Sequence, residues 1–350
     1  MKYPAVIICS TVLAACGGGG GDGTVPPQPA PAPAPVSAPA PVSVSAPVSV
    51  SATLTSANQD VVAQETSSTV TFPISNTGLL IGAEVADQRL LFTFANDQIA
   101  KLPDYIASLK AGSTLVGAIE SQTVPCANSG SLNITGTDAD NNGVLSSGDR
   151  LTITSNACNE NGSLISGSLD FNVGNVSGTF GSTNYSAALT LAFVNFSVAS
   201  AQYSVTANGT LSLSTTASGV NSLDQTLSTP SLAMSATFAG VPQTISLSSY
   251  SATVRRRPDP TYTFTTSYSL SGSLTSSSLS SQTVAFSTPS PIISRYFDLY
   301  PSTGVLLITG ANSSKLRLTA LSNTQVSQEL DSNGDGTYES IKTVNWNTLL

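Results

Sequence analysis

Residues 203–213 read YSVTANGTLSL, and the side-chain period of this stretch decides what kind of fold the chain forms. Tyr203, Val205 and Ala207 alternate with polar residues, as do Leu211 and Leu213, and Asn208-Gly209 stands between the two runs. Successive side chains of a strand point to opposite faces, so period two with one apolar face marks a half-buried β-strand. Asn-Gly accepts the positive φ of a two-residue turn, and the stretch predicts a hairpin that turns at 208–209.

The same alternation spreads outward from this point. Leu169, Phe171 and Val173 show it, as do YTFTTSYSLSGSLTS at 262–276, KLRLTAL at 315–321 and TVNW at 343–346. ISGSLDF, TANGTLSL and LSGSLTS share a strand-Gly-strand shape at irregular spacing, which predicts repeated hairpins within one sheet system and not a solenoid of fixed period. Only 9% of the residues are charged, and Ser, Thr, Gly and Asn supply the remaining polarity. Such a composition suits sheets whose outer faces carry hydroxyls. The expected fold is all-β: an antiparallel sheet system built from hairpins, barrel-like or sandwich, with at most a short helix near 103–110. Pro103 would open that helix as its first residue, and Gly112 would end it. A membrane-spanning barrel would accommodate YSAALTLAFVNFSV at 185–198. Aromatics make up only 6% of the chain, without paired girdles, so a soluble sheet is expected instead.

Before the β region come two segments of different character. Met1–Ala15 joins Lys2 to a short apolar run, the pattern of a secretory signal and too short to span a bilayer. It ends in Leu13-Ala14-Ala15-Cys16, which resembles the lipobox of bacterial lipoproteins. The resemblance implies cleavage before Cys16, a diacylglyceryl group on its sulfur, and an acyl chain such as palmitate on the new amine. Gly17 and Gly18 follow where an Asp would favour the inner membrane, so outer-membrane sorting is expected, with the leaflet left open. Residues 16–52 are Gly-rich and then built from Pro, Ala, Val and Ser, with Asp22 their only charge. Dense prolines favour extended polyproline II and form no packed core. About 25 such residues reach some 80 Å at roughly 3.1 Å each, so this segment reads as a tether to a β domain over 53–350.

Charge and residue types narrow the function. Lys and Arg number 12 against 20 Asp and Glu, a poor balance for nucleic acid, where phosphate contacts supply most of the affinity. The basic run Arg255-Arg256-Arg257 precedes Pro258-Asp259-Pro260 and reads as a solvated loop. There is no histidine, which excludes Ser-His-Asp, Cys-His and His-ligated zinc chemistry. Neither a Gly-x-Ser-x-Gly elbow nor a phosphate-binding loop is present. No enzyme is expected.

With Cys9 in the signal and Cys16 lipidated, Cys126 and Cys158 remain, an even pair in an oxidising compartment and an expected disulfide. Between them, DADNNGVLSSGD at 138–149 sets Asp138, Asp140, Asn142, Val144, Ser146 and Asp149 at positions 1, 3, 5, 7, 9 and 12 of an EF-hand-type calcium loop, with Gly143 at position 6. Position 12 is Asp in place of the bidentate Glu, and alternating strands replace the flanking helices. A weaker second set is Asp331, Asn333, Asp335, Thr337 and Glu339; position 12 falls on Lys342, so Glu339 would close that cage. A polar turn that needs no metal is the competing reading of both loops.

TVPCANSGS at 123–131, DADNNGVLSSGDRLTITSNAC at 138–158, LISGSL at 164–169, YPSTGVLLITGA at 300–311 and LDSNGDGTYESIKTVNW at 330–346 resemble a group of proteobacterial envelope lipoproteins of unknown function, with a lipobox and a Ser/Thr-rich β domain carrying dockerin-like DxDxNG loops. The resemblance implies a secreted, lipid-anchored β domain and names no activity. The expected function is that of a non-catalytic outer-membrane lipoprotein, held to the membrane through its lipid and calcium-stabilised, with a binding or structural role toward an envelope protein, glycan or lipid. The alternative is a β-barrel carrier of a lipid or other hydrophobic ligand. Cys16→Ser should leave the chain unprocessed or soluble; persistence of that variant in membranes after a high-salt wash would contradict the lipobox reading.

Overall fold

In the computed structural model, which describes residues 50–70, 86–110, 119–201, 203–238 and 240–350, the alternating segments pair in the order in which they occur. The strands are β1 (Glu120–Pro125), β2 (Ser129–Thr137), β3 (Arg150–Glu160), β4 (Ser163–Gly178), β5 (Asn184–Ala199), β6 (Tyr203–Ser218), β7 (Leu223–Phe238), β8 (Val241–Asp259), β9 (Thr263–Ser276), β10 (Gln282–Arg295), β11 (Thr303–Thr309), β12 (Lys315–Ala320), β13 (Gln325–Asp331) and β14 (Ser340–Asn345). Together they form one 14-stranded antiparallel meander. The fold is all-β, as expected, but β1 and β14 are its two edges. A single open sheet therefore replaces the expected barrel or sandwich. The signal peptide, Cys16 and the tether up to residue 49 lie outside the described residues.

Residues 50–52, assigned to the tether by composition, are part of the fold. Ser51 bridges Thr283, the Ala52 amide donates to the Thr283 carbonyl, and the Ala311 amide donates to the Ala52 carbonyl. Leu54 just beyond is fully buried.

Among the described residues two helices precede the sheet: α1 (Gln59–Val70) and α2 (Ala86–Lys110). The short helix expected from Pro103 is the last part of α2, which is 25 residues long with Pro103 inside it. An interior proline removes one backbone hydrogen bond and crowds the preceding turn. Apolar residues on both sides of it offset that cost: Leu91, Phe92, Ala95, Ile99, Leu102, Tyr105, Ile106 and Leu109 are buried at three- and four-residue spacing. Each large one contributes roughly 1.5–3 kcal/mol of burial. Phe92 meets Phe193 edge-on at 6.0 Å, and Phe94 stacks on Phe196 at 5.5 Å. The main contacts of α2 fall on β1 and β2 at one side and on β5, β6 and β7 at the other. The helix spans the curved inner face as a chord spans an arc.

Asn208-Gly209 is not a hairpin turn. β6 runs through it without a break, with Val205, Ala207, Leu211 and Leu213 all buried on one face. ISGSLDF and LSGSLTS likewise lie within β4 and β9. What these glycines do is face a bulge on the adjacent strand. A Cβ on Gly130 would lie 2.0 Å from the Ala157 carbonyl oxygen, and on Gly167 2.2 Å from that of Asn195. On Gly209 it would lie 2.4 Å from the Ser231 oxygen, and on Gly304 2.5 Å from the Pro291 oxygen. A Cβ on Gly272 would lie 3.0 Å from the Tyr250 Cα. The pairing register shifts beside every one of these glycines. Bulged residues bend a strand and increase its twist; here they form a crease across consecutive strands. The Asn208 side chain supports it by accepting the amide of the bulged Asn195 at 2.8 Å.

The Arg255–Arg257 run is also not a loop. It lies in the last turns of pairing between β8 and β9, and Pro258 still pairs with Phe264. Arg257 makes two hydrogen bonds to the Asp224 carboxylate at 2.6 and 2.8 Å, which holds the run in extended form.

The crease can be tested with two glycines of similar backbone angle. Gly162 has φ +86° and open space around its Cβ position; Gly167 has φ +79° and a backbone carbonyl there. Gly162→Ala should cost only the left-handed penalty of about 1–2 kcal/mol, whereas Gly167→Ala should cost about 1–3 kcal/mol more through overpacking. Urea denaturation of both variants measures the difference, and equal losses would remove the crease as a steric constraint.

Candidate functional site

The two acidic segments become the connections of two hairpins. Residues 138–149 join β2 to β3, and residues 332–339 join β13 to β14. The flanking strands anticipated for the first loop are therefore present.

In the first loop, Gly143 at φ +72° and Asn141 at φ +56° let the chain fold back on Asp138. The Asn142 and Gly143 amides donate to the two oxygens of Asp138 at 3.2 and 2.6 Å. Asp149 accepts the Ala139 and Ser146 amides at 2.9 and 2.7 Å. Asp140 accepts the side-chain amide of Asn142 at 2.7 Å and the Ser146 hydroxyl at 3.3 Å. Carboxylate oxygens of Asp138, Asp140 and Asp149 all lie within 4.8 Å of one another. Asp138 and Asp149 are buried while Asp140 is exposed. Val144 turns its side chain to solvent, as a residue serving through its carbonyl can do.

Burial pushes the Asp149 carboxyl above the usual range. The Ala139 and Ser146 amides oppose that push, and the charges of Asp138 and Asp140 reinforce it. Among the described residues no lysine or arginine pairs with any of the three carboxylates.

The second loop repeats the design with fewer buried groups. Gly334 and Gly336 amides donate to the two oxygens of Asp331 at 2.7 and 3.0 Å, and Asp331 is fully buried. Glu339 accepts the Ser332 amide at 2.9 Å, and oxygens of Asp331, Asp335 and Glu339 lie within 4.8 Å of one another. The structure thus brings Glu339, and not the residue at position 12, to the cluster. The Thr337 amide and the Asn333 side chain hold the exposed Asp335 below the usual carboxylate range. Lys342, at position 12, pairs instead with Asp60 of α1 at 2.5 Å. One neighbour of this loop was not legible in the sequence. A Cβ on Gly334 would meet the Asn312 carbonyl oxygen at 2.4 Å, and a Cβ on Gly310 the Ala52 oxygen at 2.2 Å. The loop therefore abuts the turn on which the N-terminal segment docks.

The disulfide Cys126–Cys158 is present. It lies at the opposite end of the β2–β3 hairpin from the acidic loop. Cys158 follows Asp149 by nine steps along the strand, about 30 Å at roughly 3.3 Å each, so the bridge closes the hairpin base and does not touch the carboxylates.

No protein-family model, no curated protein and no solved structure matches this chain.

The bridge removes denatured-state entropy over a separation of 32 residues. Cys126→Ser with Cys158→Ser should therefore lower stability by roughly 3–4 kcal/mol, measured by urea denaturation of the variant against the oxidised chain.

Proposed function

We propose that the chain is a non-catalytic, lipid-anchored protein of the bacterial outer membrane, whose sheet has a binding or structural role in the envelope and is braced by calcium at its two acidic hairpin loops. The carrying observation is the convergence of three carboxylates in each loop, with Asp138, Asp149 and Asp331 buried. Like charges at this spacing repel, and burial strengthens the repulsion. A hard divalent cation that takes oxygen ligands would convert the repulsion into attraction. Asp138, Asp140, Asn142, Ser146, Asp149 and the Val144 carbonyl would hold one ion, and Asp331, Asn333, Asp335, the Thr337 carbonyl and Glu339 the other. In the first loop the ion would clamp β2 to β3. In the second it would stiffen the turn at 310–314, and through it the place where Ala52 and Leu54 join the fold.

A hydrophobic carrier would need an apolar recess on the inner face. Two shallow depressions among the described residues, of about 200 and 260 Å3, are lined largely by outward-facing side chains such as Thr190, Ser212, Ser214, Thr206, Ser235 and Ser246. The apolar inner face is packed into one core with α2 and α1.

Calcium at a hundred times its dissociation constant should add about 2.7 kcal/mol per site, seen as a raised melting temperature that chelator reverses. Asp138→Ala should remove most of the shift and Asp331→Ala the remainder. An unchanged melting temperature at millimolar calcium, with no binding heat from chelator-treated protein, would leave both segments as polar turns.

A further inference from the structure

At the end of the sheet where β8 turns into β9 and β10 ends, the chain gathers aromatics, arginines and exposed apolar side chains. Arg256 pairs with Thr266 and Arg295 with Thr265, while the Tyr296 amide donates to the Phe264 carbonyl at 3.2 Å. Three neighbouring strands thus contribute to one rim. Phe264 and Tyr296 lie 4.5 Å apart, as do Tyr296 and Phe297. The Arg256 guanidinium sits 4.5 Å over the Phe264 ring, and that of Arg295 4.7 Å over Tyr262. Beyond them Phe297 is 82% exposed and Leu299 78%.

The orientation within Tyr296-Phe297-Asp298-Leu299 is the reverse of an ordinary turn. Phe297 and Leu299 face water, while Asp298 is half-buried, with one oxygen accepting the Asn323 side chain at 2.9 Å and the other buried. The other acids here are also engaged. Asp224 is bound by Arg257, and Asp259 accepts the Thr261 and Tyr262 amides at 2.8 and 3.0 Å. Of the cations, Arg255 and Arg257 share Asp224, and two are left over. Arg256 and Arg295 form no ion pair among the described residues; Arg295 is exposed, while Arg256 is half-buried with its Nε covered, so only its terminal nitrogens can face outward. Four of the chain's 12 basic residues, Arg255, Arg256, Arg257 and Arg295, stand at this corner of a chain with net charge −8. Stacking covers one flat face of a guanidinium and leaves its N–H fork for an anion.

We propose that this rim docks on an anionic lipid surface, with Phe297 and Leu299 entering the acyl boundary, the tyrosines at headgroup level, and Arg256 and Arg295 on the phosphates. Protruding apolar tips, an aromatic layer and unpaired cations are the three components of interfacial binding. Within the described fold the rim lies at the far end of β10 from the N-terminal segment. Val50 joins at the start of β10 through Thr283, whereas Arg295 ends that strand, roughly 40 Å away at 3.3 Å per residue.

Because the anchor would mask this binding, the test uses the full chain carrying Cys16→Ser, sedimented with phosphatidylcholine vesicles that contain or lack phosphatidylglycerol. Any binding by the residues before Cys16 is common to all variants and cancels. Binding to the anionic vesicles should be roughly tenfold or more tighter, and should weaken with salt. Phe297→Ser with Leu299→Ser, both at exposed positions, and separately Arg295→Gln with Arg256→Gln, should each lose most of that difference, with the melting temperature of the serine pair unchanged. Equal binding to both vesicles, or binding unaffected by the serine pair, would overturn the proposal. So would self-association that depends on Phe297 and Leu299 in the absence of vesicle binding, which would assign the rim to a second copy of the chain.

Discussion

Close backbone approach along the crease governs the rest of the structure. At Gly167 the chain of β4 sits where a side chain would collide with the Asn195 carbonyl, and similar approaches recur at Gly130, Gly209, Gly272 and Gly304. Strands as long as β4 to β7 would extend roughly 50 Å if straight, and an open sheet of this many strands does not stay flat without special support. The bulge opposite each glycine supplies the bend. Bending turns one face inward, so Leu169, Phe171, Leu191 and Leu213 join the one buried core that also takes in the apolar face of α2, without the sheet ever closing. The glycines therefore set the curvature, the curvature sets the burial, and burial supplies most of the favourable free energy.

This arrangement also explains which parts of the fold could be read from the chain. Alternation identified strands correctly because burial on one face imposes it. The hairpin predicted at Asn208-Gly209 was a misreading that the same alternation could have prevented. A two-residue turn would set Ala207 and Thr210 opposite each other on one face, and would send Leu211 and Leu213 to the other. Only an unbroken strand keeps Val205, Ala207, Leu211 and Leu213 together, as observed. Positive φ was the right inference for Gly209, at +137°, but a bulge seam uses it as readily as a turn. The helix was underestimated for a different reason. Pro103 carries a strong start signal, yet the apolar spacing from Leu91 to Leu109 crosses it, and tertiary packing outweighs the lost hydrogen bond. α1 left almost no signal, since its buried face includes Thr66, Ser67 and Thr69 beside Val62 and Ala63.

The acidic loops were more legible because they are local. Spacing alone places Asp138, Asp140 and Asp149 together, and the carboxylate geometry follows from backbone amides of the loop itself. Long-range relations were not available in the same way. The disulfide encloses the first loop in sequence, yet the hairpin places them at opposite ends of its strands. The second loop reaches Ala52 only through the turn at 310–314, a contact between residues far apart in the chain. The sequence separation that hides these contacts is the same quantity that makes their formation entropically costly.

An antiparallel meander sends alternate connections to opposite ends, and that topology distributes chemistry between them. The end that receives Val50 also carries the turn at 310–314, the second acidic loop and the disulfide. The first acidic loop, the aromatic-arginine rim and Asp224 occupy the other. Among the described residues acidic groups therefore stand at both ends, but arginines without an ion pair at only one. The arrangement follows from strand length, because Arg255 to Arg257 and Arg295 all fall in the last pairs of long strands, where side chains pass beyond the core and reach water. Placing cations there avoids burying them, and stacking on Phe264 and Tyr262 orients them without an acid to neutralise them. A sheet with a hydroxyl-rich outer face and a packed inner face has few places for directional charge. Its strand ends are where an otherwise weakly charged fold concentrates its electrostatic specificity.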